Sequence, residues 1–241
     1  MNQQIIRAAV KEKREVAKGT LLVTFDLQGE EVDFEPGQYF FVTLVDPPYE
    51  DEKGPRRHIS VVTSPNERGI LGLATRLRAT AFKRSLAEIE VGAPVDLEPP
   101  KGKFVLPEDT SRPYVFVAGG IGITVFWCML QYIEEESLPY RVTLVYSNRN
   151  REETAFFDEL EAYEERNPDF RLVLTMTQDP GWDGESRKID ADFLREYAGG
   201  EMDEAAFMVA GPPGMAKAIE AELAEAGVPE ERLHAASYSG Y

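Results

Sequence analysis

The chain of 241 residues is long enough for one large or two small domains, and with 43% apolar and 10% aromatic residues it can bury substantial cores. Its formal charge of −17 argues against nucleic acid as a partner, because affinity for a polyanion rests on neutralising phosphates with Lys and Arg. The single cysteine, Cys128, excludes an internal disulfide and a Cys-ligated iron–sulfur cluster, so any redox centre has to be organic.

No stretch reaches the roughly 20 apolar residues that a membrane-spanning helix needs. The opening MNQQIIRAAVKEK lacks the apolar core of a signal peptide. The expectation is a soluble, cytoplasmic, monomeric protein without a membrane span. Acidic runs such as Glu134–Glu136 and REETAFFDELEAYEER (151–166) read as solvated helix faces.

In chain order, the first hundred residues present short alternating apolar segments: IIRAAVKEKREVA, TLLVTFDLQ, QYFFVTLVD, HISVVTS, ILGLATRLR and APVDLE. Turn signals separate them, among them Lys18-Gly19, Pro36-Gly37, Pro47-Pro48 and Ser64-Pro65, and strands at this spacing predict an antiparallel barrel. One helix interrupts the pattern, TAFKRSLAEIE, with Thr80 as N-cap and Phe82, Leu86 and Ile89 on one face. After the polar stretch PEDTSRP (107–113), four strands, VFVA, RVTLVYS, RLVLTMTQ and AAFMVAG, alternate with helical stretches beginning near Gly122, Thr154, Asp190 and Gly214. That alternation predicts a parallel sheet with crossover helices. A boundary near residue 110 divides the chain into 1–109 and 110–241.

The stretch VFVAGGIGITVF (115–126) sets Gly119, Gly120 and Gly122 between a strand and a helix. It departs from the fingerprint GxGxxG, since position 125 is Val, so taken alone it suits a sharp turn as well as a phosphate loop. Its setting favours the loop, because in an open parallel sheet ligands lie beyond the carboxyl ends of the strands. Each expected end carries usable groups. The first has the glycines and Thr124 at a helix start, and the second has Ser147, Asn148 and Arg149 with Arg151 behind them. The third has Thr175 and Thr177, and the fourth has Gly211, Pro212, Pro213 and Met215 in a rigid turn.

In the β half, Arg56-Arg57-His58-Ile59-Ser60 lies on a strand, and Arg57 could hold a phosphate together with the first-turn amides of the helix at Thr80. His58 and His234 stand isolated, so no metal site is expected. Cys128 and the helical aromatics Phe156, Phe157 and Tyr163 read as core. Trp182 suits either a nucleotide shield or a packed loop residue, and Arg187 and Lys188 suit either phosphate ligands or surface charges.

The order of FEPGQYF (34–40), RRHISVVTSP (56–65), ATRLRATAFKRSL (74–86), VFVAGGIGITVF (115–126), LVYSNRNREETAFFDEL (144–160), FMVAGPPGM (207–215) and the terminal SYSGY resembles the ferredoxin–NADP reductase superfamily over nearly the whole chain. The resemblance implies an N-terminal antiparallel Greek-key β-barrel that binds FAD and a C-terminal α/β parallel-sheet domain that binds NADP(H) or NAD(H). It implies Arg57 on the flavin diphosphate, Ile59 packed on the isoalloxazine where relatives carry Tyr, and the Ser60 hydroxyl at flavin N5, with His58 inside the same motif. Thr80, Ala81 and Phe82 stand where the family places the helix start under the diphosphate, and Thr75 and Arg76 lie on the strand leading to it.

Gly119, Gly120, Gly122, Thr124, Ser147, Asn148, Arg149, Gly211, Pro212, Pro213 and Met215 then fall to the nicotinamide nucleotide. Tyr241 is implied to lie within reach of the flavin, so Ser60 and Tyr241 are the residues expected at the reacting centre. The chain departs from the family pattern at Ala210, where many relatives have Cys, at Val125, Ser237 and Pro99-Pro100.

The implied activity is hydride transfer from NAD(P)H to FAD, with electrons passed on to a separate redox protein: a ferredoxin, a flavodoxin or an oxygenase component. The first carboxylate after Ser147 is Glu152, which comes late for an NAD site and favours NADPH. Arg7, Lys11, Lys13, Arg14, Lys83, Arg84, Lys101 and Lys103 are the residues from which a basic docking face could be built. Two other readings stay open: a reductase of free flavins or ferric chelates, and a non-catalytic nucleotide-binding subunit.

Overall fold

The computed structural model describes residues 5–199 and 202–237. The chain forms two compact units, one built from residues up to Leu106 together with Trp127–Glu135, the other from Pro107–Phe126 and from Glu136 onward.

The first unit is a six-stranded antiparallel sheet of β1 (Ile6–Ala17), β2 (Thr20–Asp26), β3 (Tyr39–Leu44), β4 (Arg56–Ser60), β5 (Ile70–Arg76) and β6 (Pro94–Lys101), in the order β4-β3-β6-β1-β2-β5. Strand β6 lies between the hairpins β3–β4 and β1–β2, which is the expected Greek-key arrangement. The two edges also meet. Val62 N–H donates to Gly72 O at 2.9 Å and Gly72 N–H to Thr63 Oγ1 at 3.1 Å, so the segment after β4 closes the sheet against β5. Gly72 is required there, because a Cβ would lie 2.7 Å from Thr63 Cγ2.

Alternation decides which residues fill the barrel: β3 alternates half-buried with buried, so Phe40, Val42 and Leu44 point inward to meet Phe25, Leu71 and Val95. Helix α1 (Ala81–Glu88) adds Phe82 and Leu86 to this core. Its C-terminal carbonyls are held by Lys13 Nζ, which donates to Ala87 O at 2.8 Å and to Ile89 O. The second half of α2 (Ile123–Glu135) packs with this unit through one face. Cys128 Sγ donates to Thr63 O at 3.1 Å, Gln131 Nε2 to Val62 O at 2.9 Å, and Glu135 accepts from Ser64 Oγ.

The second unit is a parallel sheet in the order β11-β10-β7-β8-β9, made of β7 (Tyr114–Gly119), β8 (Val142–Asn148), β9 (Phe170–Met176), β10 (Ala206–Gly211) and β11 (Leu233–Ser237). Every residue of β7 and β10 is buried, which is why both read as continuous apolar runs rather than alternations. Helices α2, α3 (Phe157–Arg166), α4 (Ala191–Ala198) and α5 (Pro213–Glu225) provide the crossovers. Four strands were expected and five are present. Strand β11, LHAAS, is short and half-exposed, so its pattern carries no strand signal. From the central β7 the chain runs outward through β8 and β9, then returns to β10 and β11 on the other side, so the topological switch point lies between β7 and β10. Among the described residues no helix is long and apolar enough to cross a membrane.

Candidate functional site

In the first unit, alternation along β4 buries Arg57 and half-buries Ile59 on one side, while Arg56 and His58 face the other. Arg57 is 6% exposed. Its Nη1 donates to the carbonyls of Lys53 (3.1 Å), Gly54 (2.7 Å) and Arg56 (2.8 Å), and Nη2 reaches Asp51 Oδ1 at 3.4 Å, but Nε is buried without a partner. The guanidinium borders an open cleft of ≈ 720 Å³ whose walls are the loop Pro48–Lys53 and the start of α1, from Ala79 to Ala81 with Arg84.

That loop is stapled to α1. Tyr49 N–H donates to Ser85 Oγ at 3.1 Å, Ser85 Oγ donates to Tyr49 O at 3.2 Å, Tyr49 Oη donates to Glu88 at 2.9 Å, and the Arg84 guanidinium covers the Tyr49 ring at 3.6 Å. Thr80 occupies the N-cap position of α1 with extended backbone, yet its hydroxyl makes no capping bond and is buried without a partner. The cleft thus offers two orphaned buried groups, Arg57 Nε and Thr80 Oγ1, beside a helix N-terminus with no acidic residue in its first turn. These groups fit the diphosphate of FAD, since an anion would satisfy both and complement the helix dipole.

The other expected flavin residues take several places. The His58 ring lies 5.5 Å from the rings of Tyr39 and Phe41, on the opposite side of β4 from Arg57, and burial and Arg56 hold its pKa below the usual histidine value. Phe82 is in the barrel core beneath the Arg57 guanidinium, 5.3 Å from its ring centre, so it supports the site from behind. Thr75 and Ser60 are buried, Arg76 is half-buried at the end of β5, and Ala81 lines the cleft. Tyr241 lies outside the described residues. Lys83, counted towards a docking face, is buried instead.

In the second unit the glycine loop is first a packing device. A Cβ on Gly119 would lie 2.3 Å from Met215 Sδ and 3.0 Å from Pro212 Cδ, and one on Gly122 would lie 2.2 Å from Ala210 O. Gly120 takes φ +52°. The ends of β7 and β10 therefore interlock at the switch point. The 3-10 turn Gly120–Gly122 runs straight into α2, and Pro213 opens α5 beside it, so two helix starts converge there. The Thr124 hydroxyl donates to Ile121 O at 3.0 Å inside the turn and is buried, so its contribution is to hold the loop's shape.

At the end of β8, Asn148 is buried, Ser147 is half-buried and Arg149 is exposed. Arg151 stacks 4.3 Å above Phe157, near Asp158 at 3.9 Å. The end of β9, expected to offer Thr175 and Thr177, is closed by its own loop. Thr175 Oγ1 donates to Arg187 O at 2.6 Å, Thr177 Oγ1 to Asn148 O at 3.2 Å, and Trp182 Nε1 to Glu185 O at 3.0 Å. Arg187 is locked to Glu185 and Glu196. Its hydrogen bonds hold the Glu185 carboxyl down at about 2. Trp182 packs edge-on against Phe157 at 6.4 Å, the bland alternative of its two readings. Cys128 is a core thiol that burial pushes up to about 12, and Phe156, Phe157 and Tyr163 are buried as expected. Among the described residues no cluster of His, Cys, Asp or Glu could hold a metal ion.

Sequence reasoning missed the 48–53 wall and its Tyr49–Ser85 staple. It also missed the Cys128, Gln131 and Glu135 face of α2, although the i, i+3, i+7 spacing of polar residues in an apolar helix was a legible signal.

Two family profiles match the chain, the oxidoreductase FAD-binding domain over residues 7–106 and the oxidoreductase NAD-binding domain over residues 116–221. Methane monooxygenase component C of Methylosinus trichosporium is 31% identical over 165 residues, 68% of this chain and 47% of that protein. Terephthalate 1,2-dioxygenase reductase component 2 of a Comamonas species is 25% identical over 210 residues, 86% of this chain and 60% of that protein. The chain spans about half the length of the first of these relatives. The solved structure of a ferredoxin NADP+ reductase from Neisseria gonorrhoeae with bound FAD and NADP superposes with a TM-score of 0.81 at 20% identity, covering 98% of this chain and 99% of that one. With an antiparallel barrel that matches the oxidoreductase FAD-binding family and a parallel sheet that matches the oxidoreductase NAD-binding family, the chain is an FAD- and nicotinamide-nucleotide-binding oxidoreductase with the two-domain fold of ferredoxin–NADP reductase.

Proposed function

We propose that this chain is an electron-transfer reductase that draws hydride from NADPH onto FAD and hands electrons to a separate acceptor. The observation that supports it most is the α1 cleft, where Arg57 Nε and Thr80 Oγ1 await an anion. Bound there, FAD would supply the conversion of a two-electron hydride into single electrons. The protein's part is to hold the diphosphate with Arg57 and the α1 amides, and to hold the coenzyme against the interlocked Gly119–Gly122 and Gly211–Met215 turns. Arg149 favours NADPH: it is exposed at the end of β8, where a ribose 2′-phosphate is read, whereas Arg151 is engaged by Phe157 and Asp158.

An oxygenase component is the acceptor that the names of the relatives support. A second reading, reduction of small acceptors such as free flavin or ferric chelates, is favoured by the charge distribution. Of the eight cations considered for docking, Arg7 pairs with Asp96 (2.9 Å), Lys13 caps α1, Arg84 covers Tyr49, Lys101 pairs with Glu98 (3.2 Å) and Lys83 is buried. Stopped-flow mixing of the FAD-loaded protein with NADPH is the test of the reductase itself: bleaching of the flavin absorbance is expected, and an unchanged spectrum would reduce the chain to a nucleotide-binding subunit. Steady-state turnover with ferredoxin, FMN and ferric chelates then ranks the acceptors.

A further inference from the structure

Lys83 is a buried charge for which the reading above has no use. It lies in the first turn of α1, three residues after Thr80 and so on the same flank of the helix, and it is 5% exposed. Among the described residues no carboxylate pairs with it. Its surroundings are uniformly unfavourable to a cation. The helix N-terminus carries partial positive charge with no acidic residue in the first turn, and burial and Arg78 push the ammonium down to about 8.

An apolar residue of the same length would suit the bare fold better, because a buried unpaired charge is destabilising. A group that weakens the bare fold, placed beside unpartnered donors, has a physical rationale if an anion arrives later. The cleft's helical wall is Ala79, Thr80, Ala81 and Arg84, so Lys83 stands within the same turn, behind the lining. A charge so buried is little screened by water, and its flexible stem can bring it towards the cleft.

We propose that Lys83 is a specificity-determining cation of the flavin site, acting on the diphosphate from behind the α1 N-terminus and favouring phosphorylated over unphosphorylated flavins. The inference rests on the assignment of the α1 cleft to FAD. The test uses the full chain stripped of flavin and titrated with FAD and with riboflavin, for the wild type, Lys83→Met and Lys83→Gln, alongside the thermal midpoint of each flavin-free protein.

The expected result is opposite signs: both variants melt higher than the wild type without flavin, bind FAD weaker by about tenfold or more, and bind riboflavin as the wild type does. Two uncharged variants of different polarity keep the test informative if one fails to fold. Unchanged FAD affinity in the variants overturns the proposal and leaves the FAD assignment standing. Equal losses of FAD and riboflavin, with a lower flavin-free midpoint, mark a structural lysine and also overturn it. A wild type that binds no FAD at all refutes the cleft assignment itself.

Discussion

Arg57 holds three carbonyls and one carboxylate, yet keeps Nε free. The guanidinium is thus fixed by the protein before any ligand arrives, so little side-chain entropy remains to be lost on binding. Replacing it with Ala should weaken FAD binding by about 1.5–3 kcal/mol, the worth of hydrogen bonds to a charged group. Flavin titration of the variant measures this, and near-normal retention would remove Arg57 from the site. Arg57→Lys should recover only part of the loss, because an ammonium cannot reproduce the fork that grips Lys53, Gly54 and Asp51. Arg149 makes a contrasting case, being exposed and held, among the described residues, through its carbonyl, which accepts from Gln178 N–H at 2.8 Å. Arg149→Ala should lower kcat/KM for NADPH by roughly ten- to a hundredfold more than for NADH. Equal losses for the two coenzymes would refute a 2′-phosphate contact.

At the scale of elements, the decisive contact is the interlock of the β7 and β10 ends. The Cβ of Gly122→Ala would meet backbone, Ala210 O at 2.2 Å, whereas that of Gly119→Ala would chiefly meet the flexible Met215 side chain. The first change should therefore cost stability, about 1–3 kcal/mol by overpacking and a thermal midpoint several degrees lower. The second should be milder in stability but should displace Met215; thermal melts of the pair check the order. The loop over β9 carries a pH prediction. Glu185 is held down at about 2, so its bond to Arg187 stabilises fully above the usual carboxylate pKa of ~4.3 and is lost as pH falls towards 2. Proteolytic nicking in 179–188 should appear on acidification through that window, and Glu185→Gln should show it already at neutral pH.

The elements were legible where burial follows a simple period. Alternation gave the six barrel strands, and the wholly buried β7 and β10, with β8 buried except at Ser147, gave apolar runs that read as central strands. Strand β11 was not legible, because an edge strand of five residues, two half-buried and three exposed, has no pattern to show. Neither was the 48–53 wall, which rests on the tertiary hydrogen bonds of Tyr49 and Ser85. The glycines were legible as a sharp strand-to-helix turn, but the packing reason for two of them, contact with Met215, Pro212 and Ala210, appears only when β10 is placed beside β7. His58 stood in a promising motif, yet simple alternation against Arg57 already put it on the other side of β4.

At the scale of the whole molecule, a formal charge of −17 has to be reconciled with delivery of electrons to a partner. The residues proposed for a basic face are largely engaged within their own unit, as Arg7 with Asp96, Lys101 with Glu98 and Lys13 with the α1 carbonyls show. Of the remaining exposed cations of that set, Lys11 lies within electrostatic reach of Glu67, which leaves too few for steering by a basic patch. An acidic carrier would then be repelled at low salt and approach more easily as ions screen the pair, whose Debye length shortens from about 30 Å at 0.01 M to about 8 Å at 0.15 M. Turnover with an acidic ferredoxin should accordingly rise with ionic strength, whereas turnover with free FMN, small and weakly charged beside a protein, should change less than about twofold. Measuring kcat/KM for both acceptors across that salt range decides the matter: a fall with salt for the ferredoxin would mean that an attractive basic face exists, and that the engaged cations are not the ones that dock it.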